Sequence, residues 1–372
     1  MDVRRATRFA CVVLAVISAA PALADGLDRG RVVAIERVVN AWMAKHGVPG
    51  ASVAVAREGA VAWTAGFGLS DVENSVPAKP GTMFRTASMG KSITATAAMR
   101  MVEEGRLGLD EPIQTHCDSF PPTRWPLTLR HLLAHQGGIR HYGGPRDAEE
   151  QASTVHYPSA SAALAPFRDD SLRFRPGTDY LYSTYGYDVI GCALEGAAGA
   201  PFMDVVRRTV FQPAGMTRAC QDDPSAVVTG RAAGYVRRGG ELRVATHVDM
   251  SNRLPAGGYL ATAPEMAAFA AAFMDGRLVK PETRELMLTE ARLADGGTVN
   301  YGLGWAIAED STGHVTGRAL HGGSSPGASG MMYIFPAERI AVVVMSNLED
   351  APDRARLAES IAEIARRGWK AR

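Results

Sequence analysis

The sequence predicts an α+β fold: one antiparallel sheet assembled from both ends of the chain, with a mostly helical region inserted between them. Near the start, two short apolar runs at residues 52–57 and 60–66 are split by Glu58-Gly59, the pattern of a hairpin. Near the end, runs at 302–307, 319–322, 330–335 and 340–346 read as successive strands with turns between. From Ser88 to about Leu288 the chain is helical segments and loops. Strands at both ends with helices between them imply one sheet built from both termini.

Taken in order, residues 28–44 have helical periodicity and stop at Lys45-His46-Gly47. After the hairpin, a Gly- and Pro-containing loop over 68–81 leads to Phe84-Arg85-Thr86-Ala87 and a helix from Ser88 to about Glu104. A last helix covers 359–367. The sheet domain is expected to combine 27–87 with 292–372, and the helical domain to span 88–291. No Pro- or Ser-rich linker separates them, so the two regions should share a face.

The 372 residues carry a formal net charge of +1, and 46% are hydrophobic. That is the composition of a globular protein, with no basic patch for nucleic acid and no acidic tail. The N-terminus is a separate object. Arg4, Arg5 and Arg8 precede an apolar run over 9–20, followed by Pro21 and Ala22-Leu23-Ala24. A basic start, a short apolar core and an Ala-x-Ala end describe a secretory signal peptide, residues 1–24, cut after Ala24. The apolar run is too short to span a bilayer comfortably. The expected location is therefore periplasmic or secreted, with no membrane span after cleavage. Cys117, Cys192 and Cys220 remain in the mature chain. An odd count cannot pair fully; one disulfide, or three small buried residues, are both compatible with it.

The chemistry starts at Ser88-Met89-Gly90-Lys91, the only Ser-x-x-Lys in the chain. Residues three apart share a helical face. A lysine beside a serine hydroxyl can help take its proton and make it a nucleophile. The chain holds five lysines against 35 arginines, and a guanidinium cannot do that job. Downstream, Pro176-Gly177 makes a tight turn and Tyr182-Ser183-Thr184 follows. A tyrosine near a lysine ammonium is expected to favour its phenolate, and so to serve as a general base. The bland alternative is a core tyrosine with a bonded hydroxyl. Further on, His321-Gly322-Gly323-Ser324 ends an expected strand. Adjacent glycines let a substrate lie against the backbone, and the N–H of Ser324 with that of Ser88 can hold an oxyanion. His321 reads as either hydrogen-bonded scaffold or substrate contact.

Together, Ser88-x-x-Lys91, Tyr182-Ser183-Thr184 and His321-Gly322-Gly323 resemble the three motifs of the class C β-lactamase and penicillin-binding-protein-like serine hydrolases. The likeness extends to residues 131–142, 256–262 and 301–305, and covers roughly 30–350. Gly138-Ile139-Arg140-His141-Tyr142 and Leu181-Tyr182-Ser183-Thr184 look most like the mitochondrial β-lactamase-like serine protease branch. The resemblance implies a β-lactamase/transpeptidase-like fold with Ser88 acylated, Lys91 activating it and Tyr182 as acid/base. Gly323, Ser324, His321 and Thr184 would form the oxyanion and substrate-binding wall. It implies no metal and no organic cofactor, and a small-molecule or peptide substrate. Two departures stand out. Thr184 replaces the usual asparagine, and His321 replaces the lysine of true class C β-lactamases. A neutral histidine should recognise a β-lactam carboxylate less well. The expected activity is therefore a peptidase or esterase. A true β-lactamase, a D-Ala-D-Ala carboxypeptidase and a non-catalytic scaffold or sensor are the alternatives.

Two competing patterns fail. Gly323-Ser324-Ser325-Pro326-Gly327 matches the nucleophile elbow Gly-x-Ser-x-Gly. Its serine is followed by a proline without an N–H for the oxyanion, and no histidine follows it in the chain. His131 and His135 are four apart, but no glutamate lies between them for zinc hydrolysis, so both rings are expected to bond backbone.

Overall fold

A computed structural model describes residues 26–142, 147–310 and 312–366. The proposed signal peptide lies outside the described residues. Helix α1 (Arg29–His46) starts where the Asp28 carboxylate accepts from the N–H of Arg31, and stops at Gly47 in the left-handed region. The hairpin follows as β1 (Gly50–Arg57) and β2 (Ala60–Asp71), with β3 (Val76–Pro77) at the edge. Then come helices α2 (Gly90–Glu103), α3 (Thr184–Ala198) and α4 (Ala263–Met274). Strands β4 (Ala306–Glu309), β5 (Val315–Ser325), β6 (Ala328–Phe335) and β7 (Ile340–Ser346) lead to the final helix α5 (Arg354–Arg366).

The seven strands form one sheet in the order β4-β5-β6-β7-β1-β2-β3. Its seam is the antiparallel pairing of β1 with β7, Ala51 opposite Ser346 through Arg57 opposite Ile340. The two ends of the chain thus meet in the middle of the sheet. Both central strands are buried on both faces, which is why they read as near-continuous Val, Ile and Ala rather than as alternation. On one face, Ile35 and Val39 of α1 and Ile361 and Ala365 of α5 cover Val53, Val55, Val342 and Val344. On the other, Ala54, Val343 and Met345 join a larger core that runs on through the helical region.

Helix α4 packs on β1 and β7, so a helix from inside the expected helical domain supplies the second layer of the sheet. Its alanine-rich sequence allows the close approach. The expected strand at 302–307 begins only at Ala306. Before it, Gly304 has φ +86 and the N–H of Gly302 donates to the Trp305 carbonyl, a turn that seats Trp305 against Phe269 and Phe273. Among the described residues no single helix is long and apolar enough to cross a membrane.

Candidate active site

Ser88 lies in a short 3-10 turn, Ala87–Met89, that precedes α2. Ala87 has φ +45, a conformation unfavourable for a residue with a Cβ. Packing on both sides holds it there. A Cβ on Gly257 would stand 1.9 Å from the Ala87 carbonyl oxygen and 3.0 Å from the Ser88 nitrogen. From the sheet side, a Cβ on Gly323 would stand 2.8 Å from that same nitrogen. Two bare backbone segments therefore clamp the turn where no side chain fits.

Lys91 comes three residues later and is fully buried. Its Nζ contacts Ser88 Oγ at 3.2 Å, Thr184 Oγ1 at 3.3 Å and the Ala256 carbonyl oxygen at 3.2 Å. Burial pushes Lys91 down to about 7; Asp188 pulls it up and Arg253 pushes it further down. The amine is thus close to half neutral at neutral pH. Asp188 sits one helical turn after Thr184 on α3. It is wholly buried and neither carboxyl oxygen has a hydrogen-bond partner among the described residues. Burial holds its carboxyl well above the usual range, against the opposing pull of Lys91 and Arg253.

Tyr182 is brought to Lys91 and Ser88 by the start of α3. Ser183 caps that helix, accepting from the N–H of Gly186 at 2.9 Å. The N–H groups of Ser183 and Thr184 donate to the Nδ1 atoms of His135 (3.1 Å) and His141 (3.2 Å). The phenolate expected at Tyr182 is not what this environment favours. Lys91 Nζ lies over the ring face, 4.9 Å from its centroid. Burial raises the Tyr182 phenol well above its ordinary value, and the contact with Ser88 offsets only part of that. Tyr182 is a protonated phenol at neutral pH.

His321 is scaffold. Its Nδ1 is 2.7 Å from the Gly322 carbonyl oxygen, which can only accept, so Nδ1 carries the proton. Nε2 then accepts from the Tyr301 hydroxyl at 2.9 Å. Burial pushes the ring down to about 3, with Lys91 adding to the effect, so it is neutral. Both nitrogens are committed, so of the two roles the sequence left open, scaffold and substrate contact, the hydrogen bonds fit scaffold. Like Tyr182 and Gly323, His321 borders the site without lining the cleft over Ser88. Ser324 does line that cleft. The turn after it is two residues long, joining Ser325 to Ala328. Such a turn makes those two the hydrogen-bonded closing pair, and directs the Ser324 N–H away from β6. The nucleophile-elbow pattern is this β-hairpin, not a strand-to-helix turn.

The cleft has a volume of about 150 Å³. Besides Ser88, Lys91, Thr184 and Ser324, its wall includes His141, Tyr142 and Arg253. His135 packs against Tyr182, ring centroids 4.3 Å apart, and Tyr301 packs against His135 at 4.7 Å. As expected, the ring bonds backbone, and so does that of His131, which accepts from the Thr128 N–H. Asp188 and Arg253 were not flagged by the sequence; Tyr301 heads the 301–305 stretch of the family likeness, but without a role attached to it. The signal for Asp188 was its i+4 spacing from Thr184 on one helix face; Arg253 carries no local signal. The pairing Cys117–Cys192, left open by the sequence, is a disulfide, and Cys220 is free. Among the described residues no group of three or more His, Cys, Asp or Glu side chains could hold a metal ion.

Fold and site define a β-lactamase/transpeptidase-like serine hydrolase framework. The chain belongs to the Beta-lactamase family, whose profile matches residues 35–366. It is 28% identical to the mitochondrial serine beta-lactamase-like protein LACTB of Mus musculus, over 78% of this chain and 70% of that protein. It is 26% identical to penicillin-binding protein 4* of Bacillus subtilis, over 82% of this chain and 69% of that one. Among solved structures, the octameric penicillin-binding protein homologue of Pyrococcus abyssi superposes with a TM-score of 0.76 at 25% identity, covering 91% of this chain and 77% of that one. The D-amino acid amidase of Ochrobactrum anthropi shares the fold, with a TM-score of 0.77 at 22% identity over 91% of this chain and 99% of that one.

Proposed function

We propose that this protein is an exported serine hydrolase that cleaves ester or peptide carbonyl compounds through an acyl-enzyme on Ser88. The observation that carries the reading is the placement of Lys91 Nζ. A neutral amine has two hydrogens and one lone pair. The Ala256 carbonyl must take a hydrogen and Thr184 Oγ1 can take the other, which leaves the lone pair for the Ser88 hydroxyl proton. Lys91 is then the base and Tyr182 the acid. Ser88 Oγ attacks the carbonyl carbon while its proton goes to Lys91. The oxyanion rests on the N–H groups of Ser88 and Ser324. The Tyr182 phenol protonates the departing alcohol or amine and is reprotonated from Lys91. Water repeats the sequence and releases the acid.

Peptidase or esterase activity is the reading taken forward because the third motif carries a neutral, fully bonded His321, which offers no charge where true class C β-lactamases carry lysine. Export is supported by the leader-like N-terminus and by the Cys117–Cys192 bridge, which suits an oxidising compartment. The test is labelling with a fluorescent serine-reactive phosphonate, followed by mass mapping of the adduct. Label should sit on Ser88 and vanish in Ser88→Ala. Equal labelling of both proteins would remove Ser88 as the nucleophile. A panel of p-nitrophenyl esters, a chromogenic cephalosporin and peptides with L- or D-configured ends then ranks the substrates.

A further inference from the structure

Arg253 ends the short turn Met250–Arg253 and forms part of the wall of the Ser88 cleft. It is 6% exposed. Three of its five N–H groups are committed to fixed acceptors. Nε donates to Asn252 Oδ1 at 2.8 Å, and Nη2 donates to the carbonyl oxygens of Glu150 at 2.9 Å and Gln151 at 2.8 Å. The Tyr142 ring packs against the guanidinium, 4.9 Å from centroid to Cζ. The plane and the outer edge of the group are therefore locked in place. Nη1 has no hydrogen-bond partner among the described residues, and no ion pair there involves Arg253.

A nearly buried cation without a counter-ion is costly in a folded protein. The described wall of the cleft contains no Asp or Glu, while it contains Lys91 as well as Arg253. Asp188 feels the guanidinium's field but has neither oxygen hydrogen-bonded. What remains of Arg253 is Nη1, whose two N–H groups diverge from a rigidly mounted nitrogen, and no Asp or Glu among the described residues hydrogen-bonds it. Ser88 lines the same cleft of about 150 Å³, so an anion on Arg253 and the reacting carbonyl can belong to one short substrate.

We propose that Nη1 of Arg253 receives a carboxylate of the substrate, so that the enzyme prefers short carbonyl compounds carrying a free carboxylate over their neutral counterparts. This specificity rests on the serine hydrolase reading above. The carboxylate can belong to the acyl part or to the leaving group, and two arms separate the cases. One compares mono-p-nitrophenyl glutarate with p-nitrophenyl butyrate. The other compares 3-acetoxybenzoate with phenyl acetate. Each rate is corrected with the Ser88→Ala protein.

In at least one arm the wild-type kcat/KM should favour the anionic ester, and Arg253→Met should lower that anionic-to-neutral ratio roughly tenfold or more, the usual loss for a hydrogen bond to a charged group. Arg253→Lys keeps the charge without the fixed edge and should fall between the two. Phosphonate labelling of Ser88 reports whether each variant is folded. If Arg253→Met is not labelled, the wild-type ratio and the Arg253→Lys protein decide. A wild-type enzyme that turns over the neutral esters but shows no anionic preference in either arm overturns the proposal and leaves the hydrolase intact. So does a ratio unmoved by Arg253→Met. Wild-type protein that never labels at Ser88 ends both readings.

Discussion

The α-carbon of Gly323 faces the backbone nitrogen of Ser88 so closely that a Cβ there would lie 2.8 Å from it, and equally close to the Thr86 carbonyl oxygen. Both neighbours are backbone atoms that cannot swing aside. Gly323→Ala should therefore displace either β5 or the nucleophile turn. Overpacking of this kind costs about 1–3 kcal/mol. Displacing one oxyanion donor costs about 10²-fold or more in rate. The expected outcome is a folded protein, somewhat less stable, whose ester turnover falls by about that factor. Turnover at wild-type level would place the oxyanion elsewhere.

Lys91 sets the acid limb of the pH profile. With its pKa lowered to about 7, protonation below that pH fills the lone pair that faces Ser88. Log kcat/KM should rise with unit slope at acid pH and level off above about 7. Lys91→Met should reduce turnover by about 10²–10⁴. A profile flat from pH 5 to about 8 would take Lys91 out of the role of base.

The same burial makes Lys91 a stability liability, and the sign can be worked out. The folded pKa of about 7 lies below the ordinary 10.5, so between those values the unfolded chain binds more protons than the folded one. Stability from this group therefore increases as pH rises through that window, and below it the full cost of burying the charge is present. Lys91→Met should be more stable than wild type near pH 7, by about 0.5–2 kcal/mol. The gap should narrow towards pH 10. Urea melts of both proteins at the two ends of the window measure it; a gap that widens with pH contradicts the assignment.

Tyr182 should behave as a donor. Its phenol is raised by burial, so it stays protonated across the useful range. Tyr182→Phe should lower turnover by about 10²–10⁴ yet leave the Lys91 limb near 7 where it was. The loss should be smallest for esters with acidic leaving groups such as p-nitrophenol, which depart without a proton. Equal losses for nitrophenyl and alkyl esters would argue against proton donation by Tyr182.

How far the sequence discloses this site depends on the kind of interaction involved. Ser88 and Lys91 are close in sequence and their chemistry is local, so spacing alone pairs them. The β1–β2 hairpin and the β5–β7 run are legible for the same reason, from turn residues and apolar runs. Protonation states are not local. The identity of Tyr182 is readable, but its phenol is held neutral by packing from His135 and Tyr301, which are 47 and 119 residues away. The tautomer of His321 depends on Tyr301, and the field at Lys91 depends on Asp188 and Arg253. Each is a tertiary contact that the identity of the residue does not disclose. Ala87 illustrates the same limit in the backbone: nothing local demands its positive φ, which Gly257 and Gly323 impose from distant segments.

The disulfide gives the last prediction. Cys117 and Cys192 are 75 residues apart, and the bridge ties a surface-proximal loop to the middle of α3, the helix whose first turn carries Thr184. Closing a loop of that length restricts the unfolded chain, an effect of about 2–4 kcal/mol. Replacing both cysteines by alanine should lower the unfolding free energy by that amount in denaturant melts. Turnover of p-nitrophenyl butyrate at 25 °C should change little, because neither sulfur lines the cleft. Unreduced protein prepared without residues 1–24, unfolded in guanidinium, should titrate one thiol, that of Cys220. Three titrating thiols, with coincident melts in the presence and absence of reductant, would show that the bridge does not form.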